Sequence, residues 1–504
     1  MSDLDYQQRM AMAKAVRRFR QGRMNRRDFI RFAGLAGFGF SSTRFLSGCR
    51  PLAWKSSPQT TIPNAMELVT DDQQQFLKDI GKTLKGKTLR IVTENTPSCQ
   101  AIRNITQESF IPLTDIQIQW DLLPLDRVLA RITQDTARQA GVYDIFYIDQ
   151  AWIGRFINDS INPKSLLDKT DFAYPGYDFD DLLKPLLNNI ASYRGQLGGI
   201  PIDIPIFIMM YRRDILDELN LNVPSTIPEY LEVVKAIHQA KLPKMSGTVG
   251  QWKPGSYALT CDMTAWLWAF WVSVFGPNEQ PAFYDEQAIS WLEYMMELGQ
   301  YMAPHSRISD WHGQADAFIQ GKAGIYISWS EYFPGFDDPQ LSEIVGLAEA
   351  APCPQEVALR TSSECSFGEV PGISHQGGSC LMLSRYSKNV NAAWVFLQWM
   401  TSPEISLLAS LEAGASGIRK STYEHPLTQQ QAVIMPKTTR HMDVVLDAIL
   451  NRMGTEPHFT DWVQLATGDF SVELGKLVTQ QQSVRTTAQR MANSMNAAIR
   501  SAQH

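Results

Sequence analysis

Residues 200–211 read Ile200-Pro201-Ile202-Asp203-Ile204-Pro205-Ile206-Phe207-Ile208-Met209-Met210-Tyr211, a long β-type run whose only charged member is one carboxylate. An acid inside an apolar strand is expensive to bury unless it has partners, so Asp203 is the first candidate for a functional residue. Upstream, residues 89–93 form a short β-branched run, residues 116–120 alternate with period two, and residues 143–148 are almost continuously apolar. A helical pattern at 126–139 separates the last two, and this β-α-β alternation predicts a parallel sheet. Downstream, residues 227–240 read as a helix capped by Ser225 or Thr226. Residues 265–275 and 286–302 read as apolar-faced helices, 324–329 and 380–383 as strands, and 392–400, 403–413 and 472–502 as helices. The expected class is α/β.

The composition sets outer bounds. A chain of 504 residues is two large domains or three of about 150 residues. At 44% hydrophobic and 10% aromatic it is neither disordered nor fibrous, and 13 Trp, 16 Tyr and 23 Phe supply clefts as well as cores. Residues 1–48 hold ten Lys/Arg against three Asp, so the remainder moves from the whole-chain net charge of −6 to −13. An acidic body excludes nucleic acid as a partner, because phosphate neutralisation needs clustered cations; it suits neutral or cationic ligands.

The basic N-terminus reads as a targeting segment. Asn25-Arg26-Arg27-Asp28-Phe29-Ile30-Arg31 precedes a short Gly/Ala-rich apolar stretch at 32–40, and then comes Leu46-Ser47-Gly48-Cys49. That grammar resembles a twin-arginine signal peptide ending in a lipobox, and the apolar stretch is too short for a spanning helix of about 20 residues. Cys49 would carry the lipid, and the Pro/Ser/Thr-rich residues 50–70 would form a tether. Five cysteines remain, Cys99, Cys261, Cys353, Cys365 and Cys380. Some would pair in an oxidising compartment, Cys353 with Cys365 closing a short loop, while the odd count leaves one over. No spacing resembles a metal site, and no metal or cofactor is expected.

Several segments, taken in order, resemble the extracellular solute-binding proteins of ABC transporters, in the carbohydrate-type family that includes maltose-binding protein. They are Tyr143-Asp144-Ile145-Phe146-Tyr147-Ile148-Asp149-Gln150-Ala151-Trp152, Gly199 to Asp203 with Tyr211-Arg212-Arg213-Asp214, Val223-Pro224-Ser225-Thr226-Ile227-Pro228-Glu229-Tyr230, Gly321-Lys322-Ala323-Gly324-Ile325-Tyr326-Ile327-Ser328-Trp329-Ser330, and Gly377-Gly378 followed by Ser387-Lys388-Asn389. The resemblance spans roughly 88–425. It implies a two-lobe fold with a hinge and a ligand cleft between lobes, the first crossing inside 203–211 and the return near 380–383. The implied organisation is 1–48 signal peptide, 49–85 anchor and tether, 86–205 plus 380–430 first lobe, and 206–379 plus 431–504 second lobe.

Sugars need carboxylates and amides at their hydroxyl edges and aromatic faces against their C–H surfaces, so acids and Trp/Tyr at strand ends are the expected contacts. The resemblance points to Glu94 and Asn95 after the first strand, Asp149 and Gln150 after the third, and Asp203 at the crossing. It also points to Trp329, Ser330 and Glu331 in the second lobe, to Gly377 and Gly378 on the return, and to Arg419 in a later loop. Trp252 and Tyr257 flank Lys253-Pro254-Gly255, read as a cleft loop. Read locally, Asp149 is equally a helix N-cap, Trp329 a core residue, and the glycines a tight turn. Aromatics expected beside the strand Asp and after the Gly-Gly pair are replaced by Ile202 and Ser379, which favours a smaller polyol or faces supplied by Trp252, Trp266 or Trp311. The expected function is a non-catalytic, lipid-anchored receptor on the periplasmic or extracytoplasmic membrane face that passes a carbohydrate or polyol to permease subunits. The alternatives are a glycosidase-like enzyme using a carboxyl pair such as Asp149 and Asp203, and a sugar sensor without a transport role.

Overall fold

In the computed structural model, which describes residues 62–242, 244–270, 286–355, 374–432 and 437–502 with three isolated positions nearer the N-terminus, the run at 200–211 is two strands rather than one. The strands that position the site are Thr88–Glu94 (β1), Gln117–Leu123 (β2), Ile145–Asp149 (β3), Ser160–Ile161 (β4), Ile200–Asp203 (β5), Phe207–Arg212 (β6), Ile325–Trp329 (β7), Ala348–Ala351 (β8), Ser374–His375 (β9), Ser379–Ser384 (β10) and Met453–Gly454 (β11). One sheet has the order β2-β1-β3-β10-β4, with β5 also on β10; a second has the order β8-β6-β7; β9 and β11 form a third. Arg26, Arg27, Cys49 and Cys365 lie outside the described residues. Cys99, Cys261, Cys353 and Cys380 are buried free thiols.

The break in the run separates the two lobes. β5 ends at Asp203 in the first sheet, residues 204–206 cross, and β6 begins the second sheet at Phe207. The return lies alongside: Ile206 bridges Gln376, Gly377 N–H donates to the Pro205 carbonyl at 2.8 Å, and Ser379 pairs with Asp203. A parallel sheet holds only for β1 with β2 and β3. β10 runs antiparallel to β3, β4 and β5, because it re-enters the first lobe against the direction in which β5 leaves, and the second sheet is wholly antiparallel.

The helices follow their capping chemistry closely. Leaving the tether region, Asp71–Leu84 (α1) is closed by a Thr70/Gln73 capping box and buries Leu77 and Ile80; Gly81 lies so near the Ile111–Thr114 turn that a Cβ would sit 2.6 Å from the Thr114 carbonyl oxygen. α1 thus begins where the expected tether at 50–70 ends, 15 residues before the lobe boundary expected at 86, its polar exposed face covering a narrow buried stripe. Leu125–Arg138 (α2) connects β2 to β3. Ile227–Gln239 (α3) takes Thr226, not Ser225, as its cap, with Glu229 closing the box. Tyr257–Ala269 (α4) begins eight residues earlier than expected, at a Ser256 cap. Its residues are apolar and buried almost all round, so it carries no amphipathic period to read. Val390–Met400 (α5) and Pro403–Ala413 (α6) stand as expected, whereas the C-terminal helix divides into Phe470–Val478 and Val484–Ala502 around Gln480, whose φ is 60°.

Candidate ligand-binding cleft

The ends of the strands converge on one cavity. Glu94 closes β1, Asp149 closes β3, Trp329 closes β7 with Glu331 two residues beyond, Pro205 belongs to the first crossing and Gly377 to the second. With Leu125 at the start of α2, Tyr257 and Cys261 of α4, Trp311 and His375, these residues enclose about 430 Å³ of unfilled space, mouth included. A larger depression beside Arg194 and Lys164 sits at the Ser192–Leu197 hairpin of one lobe. It is lined by no acid among the described residues and by a single aromatic, Phe179, whereas the interlobe cavity brings acids and several aromatics together.

Trp329 satisfies two roles at once. Its ring packs edge-on against Phe207 at 4.3 Å between centroids and against His375 at 5.5 Å, and it is only 6% exposed, yet it lines the cavity. Gly377 lets this happen, since a Cβ there would stand 2.6 Å from Trp329 Cζ3. Gly378 instead serves packing: a Cβ would meet Ile190 at 2.3 Å, and its carbonyl accepts from Gln150 N–H at 3.1 Å.

The acids are electrostatically linked. Glu331 is pushed up to about 8 by burial and then by the charge of Asp203. Glu94 lies well above the usual carboxylate range through burial, then through Glu331, Asp203 and Asp149. Asp149, 5% exposed, is likewise raised by burial, against the pull of the Ala151 N–H that it caps at 2.9 Å. The N-cap and cleft readings of Asp149 hold together, one oxygen serving the backbone.

Asp203, expected as a sugar contact at the crossing, is not among the residues that line the cavity. It stands behind the lining residues, and its partners come from its own chain: Tyr147 O–H at 3.0 Å, Ser379 N–H at 3.2 Å and Thr96 O–H at 3.5 Å. Burial raises it to about 7 despite these bonds. The native state thus keeps a proton that the unfolded chain releases near pH 4, so the stability from this group is full below that point and is lost as pH rises through about 7. Asp203→Asn should consequently gain on the parent protein as pH rises from 5 to 8.5, read as the difference in melting temperature. A difference constant with pH would contradict the assignment.

The floor of the cleft holds a network that sequence spacing did not reveal. His375 places Nε2 at 3.1 Å from Glu456 Oε1 and Nδ1 at 2.9 Å from the Gln376 carbonyl. Glu456 Oε2 also accepts from Tyr257 O–H and Trp462 Nε1–H, both at 2.7 Å, and these bonds together with His375 hold its carboxyl low although burial opposes them. Cys261, His375 and Glu456 bring ligand-type atoms within 4.8 Å of one another, but His375 and Glu456 already use their polar atoms on each other and on neighbours. Three distant segments meet here, which is why no linear motif announces the cluster.

Other expected contacts have different duties. Arg419 is fully buried, donating to the carbonyls of Thr401 at 2.6 Å, Asp178 at 2.6 Å and Tyr177 at 3.0 Å and pairing with Asp181 at 3.3 Å. It ties loops together away from the cleft. Trp252 is a core residue whose Nε1–H donates to Asp262 at 2.9 Å, and Trp266 packs between Tyr230 and Tyr294. Asn95 is exposed and accepts from Gln100 at 2.9 Å. Ser330 accepts from Ile206 N–H at 3.3 Å, and Gln150 faces Tyr257 and His458. Of the alternative aromatics, Trp311 alone reaches the cavity, joined by Tyr257.

The sequence profile of the family described as bacterial extracellular solute-binding protein matches residues 114–436. The chain belongs to this family. Among its relatives, the mannitol-binding protein of Pseudomonas aeruginosa is 24% identical over 67% of this chain and 75% of its own length. A probable amino-acid ABC transporter periplasmic-binding protein of Sinorhizobium fredii is 21% identical over 72% and 80%. The solute-binding protein of Agrobacterium radiobacter, solved in complex with ribitol, superposes with a TM-score of 0.71 at 21% identity, covering 82% of this chain and 99% of that one. The fold is accordingly that of the two-lobe solute-binding proteins.

Proposed function

We infer that this solute-binding protein is the receptor of an ABC importer and captures a small polyol or sugar between its lobes. The observation that carries this reading is the meeting of Glu94, Asp149 and Glu331 with Trp329, Trp311 and Tyr257 in one interlobe cavity: acids for hydroxyl edges, aromatic faces for C–H surfaces. A relative named for mannitol and a similar structure solved with ribitol support a ligand of that size. The paired crossings at 204–206 and 376–378 serve as the hinge; ligand contacts made only with the lobes together bias the open–closed equilibrium, and a permease reads the closed shape. Export through the Arg26-Arg27 signal and lipidation at Cys49 hold the receptor at the outer face of the cell membrane.

A thermal-shift series with ribitol, mannitol, sorbitol, erythritol, glucose and maltose tests the ligand class. At a concentration 100 times Kd, binding adds about 2.7 kcal/mol, a rise of several degrees for a domain of this kind. Absence of any shift across the series would refute the polyol and sugar reading. Cys49→Ser should move the protein from the membrane fraction to the soluble one, and unchanged fractionation would refute the anchor.

A further inference from the structure

The cleft is lined by three carboxylates, Glu94, Asp149 and Glu331, and by no Lys or Arg among the described residues. The nearest group able to carry positive charge, His375, spends both ring nitrogens on Glu456 and the Gln376 carbonyl. Asp149 is 95% buried by its 5% exposure, and among the described residues its side chain has one hydrogen bond, from Ala151 N–H to Oδ1; Oδ2 is left for whatever occupies the cavity it lines. Glu331 accepts no hydrogen bond from the described residues. Three aromatic rings, Trp311, Trp329 and Tyr257, border the same space.

Resting on the polyol reading above, we propose that the ligand carries a protonated amine, as in an aminated polyol or an amino sugar, and that its ammonium sits among Glu94, Asp149 and Glu331. A neutral polyol brings hydroxyl donors but no charge to three carboxyls that burial drives toward their protonated form in a closing, drying cleft. An ammonium brings three donors and the missing charge, and hydrogen bonds between ionised partners are about twice as strong as neutral ones. The aromatic faces favour a cation as well. Burial first raises these carboxyls, Glu331 to about 8 and Glu94 and Asp149 well above their usual range, and an ammonium held among them would favour their charged form.

Matched pairs test this on the full chain by titration calorimetry at pH 7.5: 1-amino-1-deoxysorbitol against sorbitol, and glucosamine against glucose, with N-acetylglucosamine as a control that keeps the nitrogen but removes its charge. The amine of each pair should bind at least tenfold tighter, acetylation should abolish the advantage, and Glu331→Gln should weaken the amine of each pair more than its neutral member. Equal or tighter binding of the neutral member would overturn the amine and leave the polyol reading standing. Failure of every compound to bind would overturn both.

Discussion

Arg419→Met should lower the unfolding free energy by about 3–5 kcal/mol and leave the ligand affinity of the folded fraction unchanged. The guanidinium is the donor for three backbone carbonyls, at Thr401, Asp178 and Tyr177, and the counter-charge for Asp181. It also lies 5.0 Å over the Tyr177 ring. Methionine fills much of the volume but offers no donor, so several buried acceptors lose their partners together, and leaving such groups unsatisfied is the costly direction of the change. Arg419→Lys should fall between, because an ammonium cannot reproduce a planar fork of donors. Chemical denaturation measures the first effect and calorimetry the second. A variant as stable as the parent but weaker in binding would return Arg419 to the cleft.

Arg419 also shows what a sequence leaves illegible. Its position after a Gly-rich loop suits a ligand contact and a loop clamp equally, and only the meeting of 177–181 with 401 and 419, more than 200 residues apart, decides between them. The strands were readable because apolar alternation is local: β1, β2, β3 and β7 fall within three residues of their expected limits. The division of 200–211 into β5 and β6 was readable only as a run shared by two lobes, and the acid within it marked a point where buried hydrogen-bond partners gather. α4 escaped its start because a helix buried on all sides has no polar face to set its phase. Glu94, Asp149, Trp329 and Glu331 share the cavity because each stands at the end of a strand or just beyond it, a property visible locally. His375, Glu456 and Cys261 come from three segments with no common spacing, so their association is tertiary.

Trp329→Ala should weaken binding of the tightest compound from the polyol and amine series by about 30- to 100-fold. A ring face covering a ligand removes on the order of 100 Å² of apolar surface from water, worth about 2.5 kcal/mol, and about 1.4 kcal/mol is a factor of ten in Kd. The fold should survive, since the backbone of β7 remains paired with β6 from Phe207↔Trp329 to Tyr211↔Ile325. Gly377→Ala offers an independent route to the same loss. The new Cβ, placed 2.6 Å from the ring, forces the indole out of its position without removing it, and no positive φ stands at Gly377 to confuse the result with backbone strain. If both variants act through the ring face, their effects are not additive: the double variant should bind no more weakly than Trp329→Ala alone, because the methyl has no ring left to displace. Calorimetry on the two single variants and the double variant closes the cycle. Full additivity would mean that Gly377 acts on the ligand or the crossing itself, and wild-type affinity in Trp329→Ala would make Trp329 solely a core residue packed on Phe207 and His375.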